Sequence, residues 1–229
     1  MSHIYQVEVG GRSLIIETGR LATQANGSIT VALGETVVLV TACMSPQPRP
    51  DIDFFPLTID FEERLYAVGK IPGSFMRREG RPSTDAVLAG RMTDRALRPL
   101  FPKGFRNEVQ IIVTVLSSDM ENDPDVLATI GASAALSISD IPFDGPVSAV
   151  RIGRVNGEFV LYPTYSELQE SDLDLVVSST REKVIMVEAG ANSVDEAAFL
   201  EAVRIAHEAN QELIEAQDGM VSELGKPKV

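Results

Sequence analysis

"IPGSFMRREGRPSTDAVLAGRMTDRALRPLFP", Ile71 to Pro102, is the densest run of arginine in a chain whose formal charge is −13. Its second half reads as a helix over about Ser83 to Leu100. Ser83, Thr84 and Asp85 offer capping chemistry at its start. At about 100° per residue, Ala86, Ala89, Gly90, Thr93, Ala96, Leu97 and Leu100 share one side. A narrow face of mostly small residues predicts close packing against a neighbour. Arg91, Arg95 and Arg98 fall on the opposite side at i, i+4 and i+7. Three guanidinium groups on one face repel one another unless an anion sits there, and carboxylate or phosphate both suit the bidentate fork.

Outward from this helix, strands dominate. "YQVEVGGRSLIIE" reads as a hairpin turning at Gly10-Gly11, and "SITVALGETVVLVTACMS" as another turning at Gly34. "RPDIDFFPLTIDFEERLY" is strand and loop broken by proline, and "NEVQIIVTVLSS" is a β-branched strand. "PDVLATIGASAALSIS" has Pro124 at a first helical position, then small residues suited to tight packing. Asn156-Gly157 marks a third hairpin, and "LDLVVSSTREKVIMVEAG" a fourth. "SVDE", Ser193 to Glu196, fits a capping box opening a long amphipathic helix to about Leu224. Strands, helix, strand, helix, four strands and helix predict an α+β fold of mixed and antiparallel β-sheets packed with α-helices.

At 229 residues and 44% hydrophobic, the chain can bury a substantial core. There is no run of about 18 apolar residues, so no transmembrane helix is expected and no membrane partner. "MSHIYQVEVGG" lacks the basic and apolar regions of a signal peptide, and a cytoplasmic location is expected. The single cysteine, Cys43, excludes an internal disulfide and is expected to be a plain buried thiol in an apolar strand. Charge is segregated: Lys70 to Arg106 holds nine basic and three acidic residues, a local +6 that leaves −19 elsewhere. Such segregation focuses a field for an anion while the bulk surface stays acidic. In "FMRREGR", Phe75 and Met76 sit beside Arg77, Arg78 and Arg81. Cations beside a stacking face suit single-stranded nucleic acid. An oligomer contact or a surface salt-bridge network suits the same residues equally well.

"DFFPLTIDFEERLYAVGKIPGSFMRREGRPS" (Asp53 to Ser83), "DRALRPLFPKGFRNEVQI" (Asp94 to Ile111) and "GASAALSISDIPFDGPVSAVRIG" (Gly131 to Gly153) resemble the polynucleotide phosphorylase family, and the likeness runs over essentially the whole chain. The resemblance implies the first of two ribonuclease PH-like domains, over residues 1–224. Residues 225–229 would begin a linker to an all-helical segment and a second, catalytic domain. It implies a homotrimeric ring threading single-stranded RNA, partners in RNA degradation, inorganic phosphate as co-substrate, and Mg²⁺ bound in the second domain. It implies RNA contact at Phe75, Met76, Arg77, Arg78 and Arg81, with Met76 in place of a second aromatic ring. It extends RNA or small-anion contact to Arg91, Arg95 and Arg98, with packing as the other reading.

The family's catalytic half uses a serine loop for phosphate, two aspartates and a lysine. By the resemblance, the serine loop falls here on Asn122-Asp123-Pro124-Asp125, one aspartate on Asp174, the other on Leu168 and the lysine on Val176. Carboxylates repel phosphate, and proline lacks an N–H. The expectation is a domain without catalytic or metal-binding residues, the RNA-guiding, ring-forming half of a phosphorolytic 3′-to-5′ exoribonuclease, inactive alone. A non-catalytic RNA-binding ring scaffold is the alternative, and a standalone ribonuclease PH-type enzyme a third reading disfavoured by these substitutions. Glu167, Glu170, Asp172 and Asp174 are expected to form a solvated edge, and His207 to be structural.

Overall fold

A computed structural model describes residues 2–73 and 79–229. The expected hairpins form. β1 (His3–Val9), β2 (Arg12–Thr18), β3 (Gly27–Leu33), β4 (Thr36–Pro48), β5 (Leu57–Glu63) and β6 (Asn107–Ser117) build a six-stranded sheet in the order β1-β2-β3-β4-β6-β5. All its pairs are antiparallel except β5 with β6. Parallel neighbours need a crossover, and here residues 64–106 supply it. That crossover carries α1 (Thr84–Leu97), so the arginine-rich segment is the fold's one parallel connection among the described residues.

β7 (Ser148–Val155), β8 (Glu158–Leu161), β9 (Ser171–Ser179) and β10 (Val184–Ala191) form a second, antiparallel sheet in the order β10-β9-β7-β8. Asn156 and Gly157 both have positive φ, 52° and 88°, as a tight hairpin turn requires. The short α3 (Tyr165–Glu170) precedes β9, and α4 (Glu196–Leu224) follows β10.

The core sits around α2 (Pro124–Ile138), which packs against β3 and β4 of the large sheet and β7 of the small one. Every residue from Val126 to Ile138 is buried. Its small residues permit this: a Cβ on Gly131 would lie 2.6 Å from Val40 Cγ2, and one on Gly27 of β3 would lie 2.0 Å from the Ala135 carbonyl oxygen. Burying Leu127, Ile130 and Leu136 contributes about 1.5–3 kcal/mol each. Two polar side chains inside the core, Ser133 and Gln217, are partnered. Ser133 Oγ donates to Gln217 Oε1 at 2.7 Å and accepts from Val147 N at 2.9 Å, while Gln217 Nε2 donates to Val147 O at 3.1 Å. This network ties α2, α4 and the lead into β7 together.

Two readings are corrected. Cys43 is exposed. β4 alternates strictly, so Val38, Val40 and Ala42 face the core and Cys43 faces outward. α4 does not use Ser193 as its cap: Asp195 is the N-cap and accepts from Ala198 N at 2.9 Å. Ser193 has φ 58°, outside the extended region a cap adopts. Residues 225–229, expected to begin a linker, lie along the end of α2. Lys226 N and Val229 N donate to Ile138 O and Asp140 O, both at 3.0 Å. Lys228 Nζ reaches the carbonyls of Leu136, Ser137 and Ser139 at 2.7, 2.9 and 2.7 Å, a cation at a helix C-terminus.

Gly27→Ala should cost about 3 kcal/mol in urea unfolding, because its methyl group meets backbone. An unchanged midpoint would show that α2 does not pack this closely.

Candidate functional site

The arginine segment leaves β5 and returns to the same place. The Leu65 backbone N–H donates to Glu79 Oε1 at 2.7 Å, and Arg64 pairs with both Glu62 and Glu79. Ser83 caps α1 by accepting from Ala86 N at 3.0 Å, and its hydroxyl donates to Glu63 Oε2 at 2.6 Å. Residues 65 and 79 therefore close a neck. Phe75, Met76, Arg77 and Arg78 fall between them and lie outside the described residues.

The remaining arginines divide. Arg81 and Arg91 are exposed and have no ion-pair partner among the described residues. Val87 and Leu88, 50% and 54% exposed, lie one turn before Arg91. Arg95 pairs with Glu188 of β10 at 2.7 Å. Arg98 pairs with Asp94 at 2.7 Å, donates to Phe55 O and Leu57 O at 3.1 and 3.2 Å, and lies 5.7 Å from the Phe55 ring centroid. The expected repulsion along this face is thus relieved internally at two of its three positions.

Beside α1 a cleft of about 460 Å³ opens between α1, the start of α2, β9 and β10. Its centre is Arg151 on β7. One Nη contacts Asp123 and the other Asp125, both at 2.9 Å, and Nε lies 3.6 Å from Asp174. Strand register explains the last contact. Arg151 is opposite Val176 and Gly153 opposite Asp174, so Arg151 and Asp174 are same-face diagonal neighbours. Asp123 also caps α2, accepting from Asp125 N at 3.1 Å. The preceding loop is held by Asp119, which accepts from the backbone N–H groups of Asn122 and Glu121 and from the Asn122 and Thr36 side chains. Burial alone would raise the Asp119 carboxyl, but those hydrogen bonds outweigh it and hold it well below the usual range.

Burial and the neighbouring Asp123 push the Asp125 carboxyl up to about 7, against the opposing pull of Arg151. Burial likewise raises Asp174, with Arg151 opposing. Asp174 therefore does not belong to a solvated edge: Leu173 and Leu175 point into the core, and Asp174 faces the cleft. Glu167 is structural, forming a capping box with Thr164. Asp172 lies 3.5 Å from Arg154, and His207 lines no part of the cleft. Val176 lines the cleft, and Leu168 is half-buried on α3.

This arrangement does not suit phosphate or a divalent metal. A helix N-terminus ordinarily attracts anions, but carboxylates occupy this one and Pro124 offers no N–H. The guanidinium stands where a metal between these carboxylates would be. No three His, Cys, Asp or Glu side chains converge as a metal requires among the described residues. Sequence reasoning missed Arg151. Its one signal is a charge inside the otherwise apolar run "AVRIG", Ala149 to Gly153.

The crystal structure of rice (Oryza sativa) Rrp46 matches this architecture with a TM-score of 0.71, covering 96% of this chain and 94% of that one at 14% sequence identity. The fold is ribonuclease PH-like. Residues 10–142 match the 3′ exoribonuclease family, domain 1, and residues 145–209 match domain 2 of that family. The chain belongs to the 3′ exoribonuclease family. It is 58% identical over 228 residues to the polyribonucleotide nucleotidyltransferase of Thermus thermophilus, covering 100% of this chain and 32% of that protein. It is 55% identical over 225 residues to that of Dehalococcoides mccartyi, covering 98% of this chain and 31% of that protein. The chain thus spans about a third of the length of these curated relatives.

Arg151→Ala should cost about 3–5 kcal/mol at pH 8, because it strands buried carboxylates. A carboxyl raised in the folded state contributes stability at low pH that is lost as pH rises through about 7. The loss on Arg151→Ala should accordingly shrink at pH 5, where Asp125 is protonated. Urea unfolding at both pH values checks this, and an equal loss at both would contradict it.

Proposed function

We propose that this domain is the RNA-guiding, ring-forming part of a phosphorolytic 3′-to-5′ exoribonuclease, and that it carries no phosphorolytic site of its own. In this reading the protein converts RNA and inorganic phosphate to nucleoside diphosphates, reversibly. A second domain supplies the phosphate and Mg²⁺ sites, three copies form the ring, and the protein works in the cytoplasm with other RNA-degrading proteins. The similarity to polyribonucleotide nucleotidyltransferases supports the activity. No described helix is long and apolar enough to cross a membrane.

The observation that carries the division of labour is the Arg151 guanidinium among Asp123, Asp125 and Asp174. A phosphorolytic site needs donors for phosphate and carboxylates that converge on a metal, and among the described residues this cleft offers neither. A cleft lined by carboxylates also turns away the RNA backbone. Cationic charge for RNA is available instead at Arg91 on α1 and near the neck. Arg81 and Arg91 are exposed there, and Phe75, Met76, Arg77 and Arg78 fall in sequence between Leu65 and Glu79, which a backbone N–H to carboxylate hydrogen bond joins. RNA contact is assigned to these six residues. Arg98, engaged with Asp94 and two backbone carbonyls, is assigned to packing, and Arg95 to the α1–β10 contact.

Arg77→Ala with Arg78→Ala should weaken binding of oligo(A) by the protein and flatten its salt dependence. The log–log slope should fall by about 0.7 for each phosphate left without its cation. Arg98→Ala should lower stability and leave that slope unchanged. Fluorescence anisotropy across a salt series reads both. An unchanged affinity and slope in the double variant would remove RNA gripping from this loop.

A further inference from the structure

We infer that the open edge of β10 is a docking site for an extended basic segment of a partner protein, which adds to the small sheet as a fifth strand. β10 is a terminal strand of that sheet. Two contacts fix which of its backbone groups face outward. Just past the strand, the Asn192 N–H donates inward to Asp172 O at 2.8 Å, and Val187 O receives Arg95 Nη2 from outside the sheet at 3.4 Å. Alternation along an antiparallel ladder then turns the backbone groups of Glu188 and Gly190 toward β9, and those of Val187, Ala189 and Ala191 away from it. The N–H and C=O groups of Ala189 and Ala191 have no backbone partner beyond the sheet among the described residues. Both residues are exposed, as is Gly190 between them.

The usual protection of an edge is missing here. No Pro, Lys or Arg lies between Val187 and Ala191, and the register shift in the β9–β10 ladder is at the other end, between Val184 and Met186. The large sheet's terminal strand β5 is treated differently. α1 closes it, with Arg98 donating to Leu57 O at 3.2 Å and Gly90 letting the helix approach Ile59 O. The same helix stands away from β10. Beyond the Arg95–Glu188 contact, the cleft separates Asp85, Leu88, Ala89 and Met92 of α1 from Ala189 and Gly190 of β10. A strand bonded to Ala189 and Ala191 runs in this groove, and every second side chain of it points to the cleft face that Asp174 and Val176 share with Gly190 and Glu188. Charge selects those side chains. Arg95 offsets Glu188, and Arg151 is held by Asp123 and Asp125, which leaves Glu63, Asp85 and Asp174 to face the incoming strand. Lys or Arg at alternate positions matches: the head meets a carboxylate, and the stem lies on Leu88 or Val176. The row of backbone groups is what selects a peptide over any other cation.

Fluorescence anisotropy of a labelled peptide, Thr-Lys-Thr-Lys-Thr-Lys-Thr, with the 229-residue chain tests this without RNA, and so apart from the function proposed above. Saturable one-to-one binding is expected, and none by the peptide with Glu for Lys. The Ala189 N–H points away from β9, so Ala189→Pro removes a docking donor and spares the sheet's own bonds. That variant should bind about tenfold more weakly and show an unchanged circular dichroism melt. Two further peptides, N-methylated at every Lys or at every Thr, keep the charge and lose the donors of one edge. Whichever set faces β10 should lose about tenfold in affinity with the unaltered chain, a readout that stands even if Ala189→Pro does not fold. Binding that depends on Lys but ignores both methylation patterns would show charge attraction alone and overturn the inference. So would the absence of saturable binding, or self-association of the chain that Ala189→Pro abolishes, which would give the edge to a second copy.

Discussion

Arg151 lies between the carboxylates of Asp123 and Asp125, at the point where α2 begins. That contact couples the two sheets: α2 packs on the large sheet, and Arg151 belongs to the small one. The same contact decides the chemistry of the cleft. A guanidinium held by two carboxylates neutralises a helix start that would otherwise attract anions. It also fills the space a metal would need. Removing either side strands buried charge, so the cluster is self-reinforcing.

The clamp works because its surroundings are rigid. α2 is buried along its whole length from Val126 to Ile138 and held at both ends. Asp123 caps its start, and Lys228 gathers three carbonyls at its end. Gly131 and Gly27 let neighbouring strands approach where any side chain would intrude. α1 crosses over this core, burying Ala86, Ala89 and Leu97 and turning Arg91 to solvent. On the same helix Asp85, Leu88, Ala89 and Met92 line the acidic cleft.

Much of the fold was legible because it depends on local chemistry. Gly10-Gly11, Gly34 and Asn156-Gly157 marked hairpins through the backbone they permit. Ser83 and Pro124 marked helix starts. Cys43 misled because "VVLVTACMS" looks apolar throughout, whereas its register turns every second residue from Val37 to Cys43 away from the core. Ser193 misled because two oxygen-bearing candidates, Ser193 and Asp195, stood two residues apart, and only the backbone angle separates them. The centre of the cleft was hidden for a different reason. Arg151 meets Asp123 and Asp125 across 28 and 26 residues of sequence. Asp174 reaches it by strand register alone. Long-range pairing of this kind leaves no local pattern. The family resemblance located Asp174 and the altered serine loop, but offered no partner for either.

The most direct measurement is phosphate-dependent release of ADP from poly(A) by this chain alone, in the presence of Mg²⁺. A longer relative with its full set of domains serves as the positive control. With Arg151 clamped among Asp123, Asp125 and Asp174, no ADP is expected at any phosphate concentration. Release of ADP by the chain would contradict that expectation and would mean that phosphate and metal reach a reactive arrangement within this domain.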